Sequence, residues 1–398
     1  MSFPILRLQS NADRRLRAGH LWIYSNEVDV AKTPLTQFQA GQQVMVENAK
    51  GKALGLAYIN PNTLICARLF SRDTDLGLTR SLLVHRLNQA LSLRERAFDK
   101  PCYRLVFGEA DGLSGLVVDR FYDYLVVQIS TAGMEAVRDD IIDALLKVIK
   151  PAGILLKNDG KMRAVEGLDE YIAEAYGQVP DFLELEENGV KFMAPVREGQ
   201  KTGWFYDHRM NRARVQHYAK GLKVLDVFSY VGGWGVQAAA AGADSVTCID
   251  ASAFATEQVA ANAALNGLED KVTSIKSDAF DALKALAEEK ERFDMVILDP
   301  PAFIARRKDK AKGEAAYQRA NQLAMRLLNK DGLLVSASCS MHLEKGKLTE
   351  ILRSTSRTLD RHLVMLEQGG QGADHPVHSA IPETDYLKSV ICRVLPSF

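Results

Sequence analysis

No apolar run in this chain approaches the length of a membrane span, so a helical transmembrane anchor is not expected. The first ten residues contain Arg7 and no signal-type apolar core, which points to a soluble cytoplasmic protein without a membrane partner. The five cysteines (Cys66, Cys102, Cys248, Cys339 and Cys392) form no C-x-x-C pair. A disulfide framework and a zinc site are both disfavoured, and no metal is expected. There is no repeat and no low-complexity segment. Net charge is also lacking, since 50 Lys and Arg cancel 50 Asp and Glu. That cancellation hides a pattern: residues 1–100 hold 14 basic against 8 acidic side chains, and residues 101–200 hold 10 against 18. A basic front end favours polyanion binding, with a solvated charged face as the plainer alternative.

The chain is organised around Lys223 to Gly235, which reads Lys-Val-Leu-Asp-Val-Phe-Ser-Tyr-Val-Gly-Gly-Trp-Gly. Val224, Leu225, Val227 and Phe228 make a buried strand interrupted by Asp226. The glycines make a tight turn, and Val236-Gln-Ala-Ala-Ala-Ala is a strong helix former. The dinucleotide spacing G-x-G-x-x-G is missing. A strand carboxylate ahead of glycines suits a cationic, hydroxyl-bearing ligand better than a pyrophosphate, and S-adenosylmethionine carries an ammonium, a sulfonium and a ribose. Taken alone, the stretch could also be an ordinary strand-to-helix loop.

A chain of 398 residues suggests two or three domains. Short strands punctuated by Gly and Pro fill residues 1–75. Arg14, Arg15 and Arg17 stand there before Leu21-Trp-Ile-Tyr24, an arrangement able to hold RNA backbone and stack bases unless the aromatics are core. Residues 76–185 read as a helix, strands, a helix over Met134–Ile149 and two further strands. Pro180–Glu187, acidic and interrupted, reads as a linker. Over residues 186–398 strands and helices alternate, which specifies a parallel, doubly wound sheet with its ligands beyond the carboxyl ends of the strands.

The chemistry-bearing residues fall at such ends. Asp250 lies 24 residues past Asp226, where an acid would bond ribose hydroxyls. Asp278 ends the next strand and could meet an adenine, or simply cap a helix. Asp299-Pro-Pro-Ala-Phe303 makes a rigid turn of the kind found in enzymes that methylate exocyclic amines, though here Ala302 displaces the aromatic. Ser338-Cys-Ser340 ends the strand after it. Cys66, Cys248 and Cys392 read as small core hydrophobes, whereas Cys339 stands at a ligand rim. A thiolate adding to carbon 6 of a pyrimidine makes carbon 5 nucleophilic towards a methyl donor. Bringing its pKa from about 8.5 to neutrality is worth roughly 2 kcal/mol. Arg306, Arg307, Lys308 and Lys310 follow on a loop placed to grip phosphates.

With these residues the sequence resembles the bacterial 23S ribosomal RNA cytosine-C5 methyltransferases known as ribosomal RNA large subunit methyltransferase I. The carrying motifs run from Gly108-Glu-Ala-Asp-Gly to Arg120, from Gly199-Gln-Lys-Thr-Gly to Arg209 and over Asp226–Gly233. Asp299-Pro-Pro-Ala-Phe303, Ser338-Cys-Ser340 and Asp374-His-Pro-Val377 complete them. The resemblance implies a multidomain α/β chain. An N-terminal β-barrel-like PUA domain (1–75) precedes a central α+β domain of EEHEE type (76–185) and a C-terminal Rossmann-like methyltransferase domain (186–398). It implies S-adenosylmethionine as donor, Cys339 as nucleophile, and 23S rRNA or a large-subunit assembly intermediate as partner; it also admits a homodimer. Asp299 is expected to contact the base edge or handle its proton. Asp226, Phe228, Ser229, Gly232, Gly233, Asp250, Asp278 and Pro300 are expected to hold the cofactor, with Lys201, Phe205 and Arg209 closing over it. The alternatives are N-methylation of guanine or adenine, and a non-catalytic RNA-binding or ribosome assembly factor.

Overall fold

The computed structural model describes residues 3–397; Met1, Ser2 and Phe398, which the domain boundaries above include, lie outside the described residues. The chain folds as two compact units. One takes residues up to 184 with 194–206 and 373–384, and the other takes 185–193, 207–372 and 385 onward.

The first unit holds two five-stranded sheets. In one, the strands run in the order Ile5–Arg7, Gln42–Glu47, Ala53–Ile59, Ile65–Ser71 and Trp22–Tyr24. Period-2 alternation turns Val44 and Val46 inward to meet Leu6, Leu8, Ile23 and Ile59. The other sheet orders Tyr171–Tyr176, Gly153–Asn158, Tyr124–Ile129, Leu116–Phe121 and Cys102–Phe107. It carries three strands ahead of its helical segment, one more than the EEHEE pattern. That segment is split into Ala132–Glu135 and Arg138–Ile149 where one helix was expected. Helix Arg80–Ala97 buries Leu83, Leu87, Ala90 and Arg94, three to four residues apart on one face.

Three motifs of the sequence turn out to be braces of this unit. Arg94 is fully buried and forks onto Asp111 at 2.6 and 2.7 Å. Asp119 accepts from Arg104 at 2.8 and 2.9 Å and from the Thr202 hydroxyl at 2.5 Å. Asp374 accepts from the Arg104 backbone N–H, while its carbonyl accepts from Arg94.

Pro180–Glu187 holds the junction between the units, at 184/185, but it is an ordered strand rather than an irregular connector. Phe182–Glu187 is a strand paired with Val190–Pro195, because Leu183, Leu185 and Glu187 alternate inward.

The second unit is one seven-stranded sheet. Its strands are β1 (Lys223–Val227), β2 (Ser245–Asp250), β3 (Val272–Lys276), β4 (Phe293–Leu298), β5 (Leu328–Ser338), β6 (Arg361–Gly369) and β7 (Lys388–Pro396). The order is β3-β2-β1-β4-β5-β7-β6. Strands β1 to β5 are parallel, and β7 runs antiparallel to both β5 and β6. Leu225, Val227, Ile249, Val296, Leu298 and Leu334 pack into the core with helix residues such as Tyr317 and Met325. The strand order reverses direction between β1 and β4, and ligands of open α/β sheets sit at such a switch point.

Candidate active site

Strand β1 leaves the sheet through a strained turn. Phe228 and Tyr230 both adopt left-handed backbone, φ +66° and +49°, a conformation costing on the order of 1 kcal/mol or more for a side-chain-bearing residue. Gly232, at φ +88°, takes the same hand without that penalty. Backbone partners hold the turn: Ser229 N–H donates to the Ile249 carbonyl and Tyr230 N–H to Asp250 Oδ2, at 3.0 and 2.9 Å. Asn262 Nδ2 donates to the Val231 carbonyl at 3.0 Å.

Asp226 is turned inward and fully buried, and its Oδ2 accepts from the Gly235 N–H at 2.8 Å. Burial pushes its carboxyl up to about 7 against the pull of that N–H, with the charges of Asp299 and Asp250 adding to the rise. Gly235 is obligatory, since an added Cβ would stand 2.5 Å from Cys248 Sγ and 3.1 Å from Asp226 Oδ2.

Asp250 ends β2 half-buried, accepting from Ser252 N–H as well as Tyr230 N–H. Its carboxylate oxygens keep further lone pairs for a ligand hydroxyl. Asp278 is exposed and caps helix Ala279–Glu288 through the N–H groups of Phe280 and Asp281. Arg209, expected at the cofactor, is buried with its Nε 3.6 Å from Glu187, the same carboxylate that Arg212 grips at 2.6 Å. Lys201 and Phe205 belong to the first unit, where the ammonium lies 4.7 Å from the ring centroid.

Across the switch point, Asp299 follows β4. Trp234 Nε1 donates to its Oδ2 at 3.0 Å, and His208 Nε2 lies 3.2 Å from its Oδ1, within ion-pair reach but off the line of a good hydrogen bond. Burial works to raise the Asp299 pKa, but the charge of His208 and the contacts of His208 and Trp234 outweigh it and hold the carboxyl below its usual range. Asn211 Nδ2, which also donates to the Gly370 carbonyl, lies 3.1 Å from His208 Nδ1. Pro300 is buried behind Asp299.

The turn after β5 is stitched to this loop by hydroxyls. Ser340 Oγ accepts from the Ile304 N–H at 3.2 Å, and Tyr317 Oη lies 2.8 Å from the hydroxyls of both Ser338 and Ser340. Between those serines stands Cys339. It is half-buried, whereas Cys66, Cys102, Cys248 and Cys392 are buried. Burial drives Cys66 and Cys392 up to about 12 and Cys248 well above its ordinary value, which makes all three inert. Arg306, Arg307 and Lys308 are exposed, and Lys310 is half-buried 3.9 Å from Glu314. In the first unit Arg14 and Arg17 are exposed; Arg15 forks onto Glu27 and lies 4.8 Å from the Tyr24 ring centroid. Trp22 and Tyr24 are half-buried, so they are neither free platforms nor core.

His208 and Trp234 lie inside motifs that give them no role, and Tyr317 and Lys388 join the site with no sequence signal. Each is set by long-range packing rather than by a local pattern.

The groups at β1 and β2 suit an ammonium- and hydroxyl-bearing ligand: the half-buried Asp250 carboxylate, a close-approach turn, and a buried Ser229 hydroxyl with no protein partner. Together with the strand order they define a Rossmann-like S-adenosylmethionine-dependent methyltransferase, and the family model of that description matches residues 169–350. A PUA-like domain model matches residues 6–72. The chain belongs to the ribosomal RNA large subunit methyltransferase I family. It is 35% identical to the member from Tolumonas auensis over 394 residues, 98% of each chain. It is 34% identical to that from Vibrio cholerae over 400 residues, 98% of this chain and 100% of the relative. Among solved structures, a candidate SAM-dependent methyltransferase from Streptococcus mutans superposes with a TM-score of 0.83 at 21% identity. The match covers 98% of this chain and all of that one. Another, a candidate methyltransferase complexed with SAH, gives 0.84 at 22%, with the same coverage. S-adenosylmethionine is the cofactor of this chain.

Among the described residues no group of His, Cys, Asp or Glu is arranged to hold a metal ion, and no helix is long and apolar enough to cross a membrane.

Proposed function

We propose that this protein methylates carbon 5 of a cytosine in 23S ribosomal RNA through a covalent adduct of Cys339 at carbon 6. The relatives are named for large-subunit ribosomal RNA, and the observation that carries the finer reading is the half-buried Cys339 at the carboxyl end of β5. It stands beside the end of β4 that presents Asp299. The Cys339 sulfur, as thiolate, gives its pair to carbon 6, and the carbon 5–carbon 6 π pair moves onto carbon 5. When bound, S-adenosylmethionine would supply an electrophilic methyl group to carbon 5 and leave as the neutral thioether. Carbon 5 would then give its proton to water as the double bond re-forms and the thiolate is expelled.

Asp299, kept anionic by His208 and Trp234, suits accepting a hydrogen bond from the exocyclic amine of the base rather than storing a proton. The Asp226-braced turn with Phe228, Ser229, Gly232 and Gly233 holds the donor, Asp250 takes its ribose hydroxyls, and Asp278 and Pro300 edge its adenine. Arg209 acts through Glu187, the carboxylate it shares with Arg212. Arg14, Arg15, Arg17, Arg306, Arg307, Lys308 and Lys310 neutralise RNA phosphates, and the target base is extruded or already unpaired.

Cys339→Ala decides it. Transfer of labelled methyl to cytosine carbon 5 should fall by on the order of 10³-fold or more while donor binding persists. Full transfer by that variant would defeat the reading.

A further inference from the structure

Lys388 opens β7 and is paired across the ladder with Ser338, next to the nucleophile. Its side chain is buried. Nζ donates to the Ser340 carbonyl at 2.5 Å and to the Tyr386 carbonyl at 2.7 Å, so both serine-turn backbone and β7 approach hold it in place. An ammonium has three donors, and among the described residues the third has no protein acceptor and no carboxylate pairs with it directly. The titratable groups bearing on it are Cys339, Asp385 and Lys345. An ammonium buried among carbonyls without a counter-ion is costly, and such groups are kept where a charge is needed.

We propose that Lys388 is a positioning residue that keeps Cys339 in its thiolate form, a fixed positive charge behind the Ser338–Ser340 turn with one N–H uncommitted. Burial lowers the Lys388 pKa to about 8, and the Cys339 charge pulls it back up. Coupling between two titrating groups is mutual, so the ammonium that a thiolate favours must favour that thiolate equally. At neutral pH the lysine remains mostly protonated. Cys339 then gives its proton to water and retains the electron pair on sulfur.

The catalytic consequence rests on Cys339 being the nucleophile, but the coupling can be read without it. The test is the pH dependence of iodoacetamide alkylation of the full-length protein, with the modified cysteine located by mass spectrometry. The four buried cysteines do not compete. Wild-type Cys339 should titrate clearly below the ordinary value of about 8.5. Lys388→Met should raise that midpoint enough to cut the thiolate fraction at neutral pH roughly tenfold, and Lys388→Arg should restore most of it. Methyl transfer by Lys388→Met should fall with its pH optimum displaced upward and the KM for S-adenosylmethionine unchanged. A lysine that merely held two carbonyls would lower stability without moving the alkylation midpoint. The idea is overturned by an unmoved midpoint in Lys388→Met or, should that variant not fold, by a wild-type midpoint at or above the ordinary value. If Cys339→Ala still methylates while the midpoint shifts, the nucleophile assignment fails and the coupling stands.

Discussion

The two sides of the switch point are made of different material. At the ends of β1 and β2 the backbone is strained: Phe228 and Tyr230 are forced into left-handed conformation and pinned by N–H bonds to Ile249 and Asp250. At the ends of β4 and β5 the fixed groups are side chains: the Asp299 carboxylate, the Tyr317 and serine hydroxyls, and the Lys388 ammonium. The first arrangement brings main chain close to a ligand and fixes its position, which is what binding needs. The second holds titratable groups at set charge states, which is what bond-making needs. If this division is sound, perturbations of one side should leave the other side's readout intact.

The largest effect is expected at Asp226. Its carboxyl is raised from 3.8 to about 7 in the folded protein, so the folded state holds a proton that the unfolded chain gives up. Unfolded chain therefore binds fewer protons between these values, and stability falls as pH rises from about 4 to about 7. The loss is complete above the folded value and absent below the unfolded one, with an upper bound of roughly 4 kcal/mol. Asp226→Asn keeps an acceptor for the Gly235 N–H and removes the titration. Its urea midpoints across that range should lose the downward slope seen in the wild type. An unchanged slope would assign the pH dependence elsewhere.

Gly235→Ala should come next. The added methyl meets a buried sulfur and a buried carboxylate, neither of which can withdraw. Overpacking of this kind costs about 1–3 kcal/mol. Calorimetric affinity for S-adenosylmethionine should fall, because the glycine turn must shift, while the pH midpoint of Cys339 alkylation should stay where it was. Movement of both together would mean that the two sides are one mechanical element.

What could be read in the sequence follows the same line. The strand-turn-helix at Asp226–Gly235, the acids at Asp250 and Asp299, and the placement of Cys339 after a strand are local patterns found at strand ends, whereas Asp278 stands two residues past its strand as a helix cap. The acidic stretch Pro180–Glu187 does hold the junction between the units, but its charge hid the strand Phe182–Glu187. The alternation of Leu183 and Leu185 with glutamates was the better signal, and Glu187 is buried to pair with Arg212 rather than solvated. His208 stood in the Gly199–Arg209 motif with nothing local to pair it with Asp299, and Lys388 had no local signature. His208 meets Asp299 across 91 residues of chain. Lys388 reaches the Ser338–Ser340 turn only because β7 returns antiparallel beside β5, a pairing that no periodicity encodes. Long-range polar partners are therefore the part of a site least visible in sequence, and here they are concentrated on the side that holds charge.

The smallest predicted effect tests that side directly. Tyr317 is fully buried, and burial raises its pKa, so it stays a phenol at any working pH. Its oxygen takes the Ser338 hydroxyl and touches that of Ser340, which in turn accepts from the Ile304 N–H. Tyr317→Phe keeps the ring against Phe303, 4.9 Å between centroids, and deletes only the oxygen. Two buried hydroxyls then lose a partner, at a cost of about 1–2 kcal/mol in unfolding free energy. Loosening of the turn should slow methyl transfer several-fold through kcat, because Cys339 hangs between those serines. Affinity for S-adenosylmethionine should hold, since no bond in the Phe228–Gly235 turn runs through Tyr317. A loss of donor affinity matching the loss of rate would show that the hydroxyl network supports both sides, and the division drawn between them would fail.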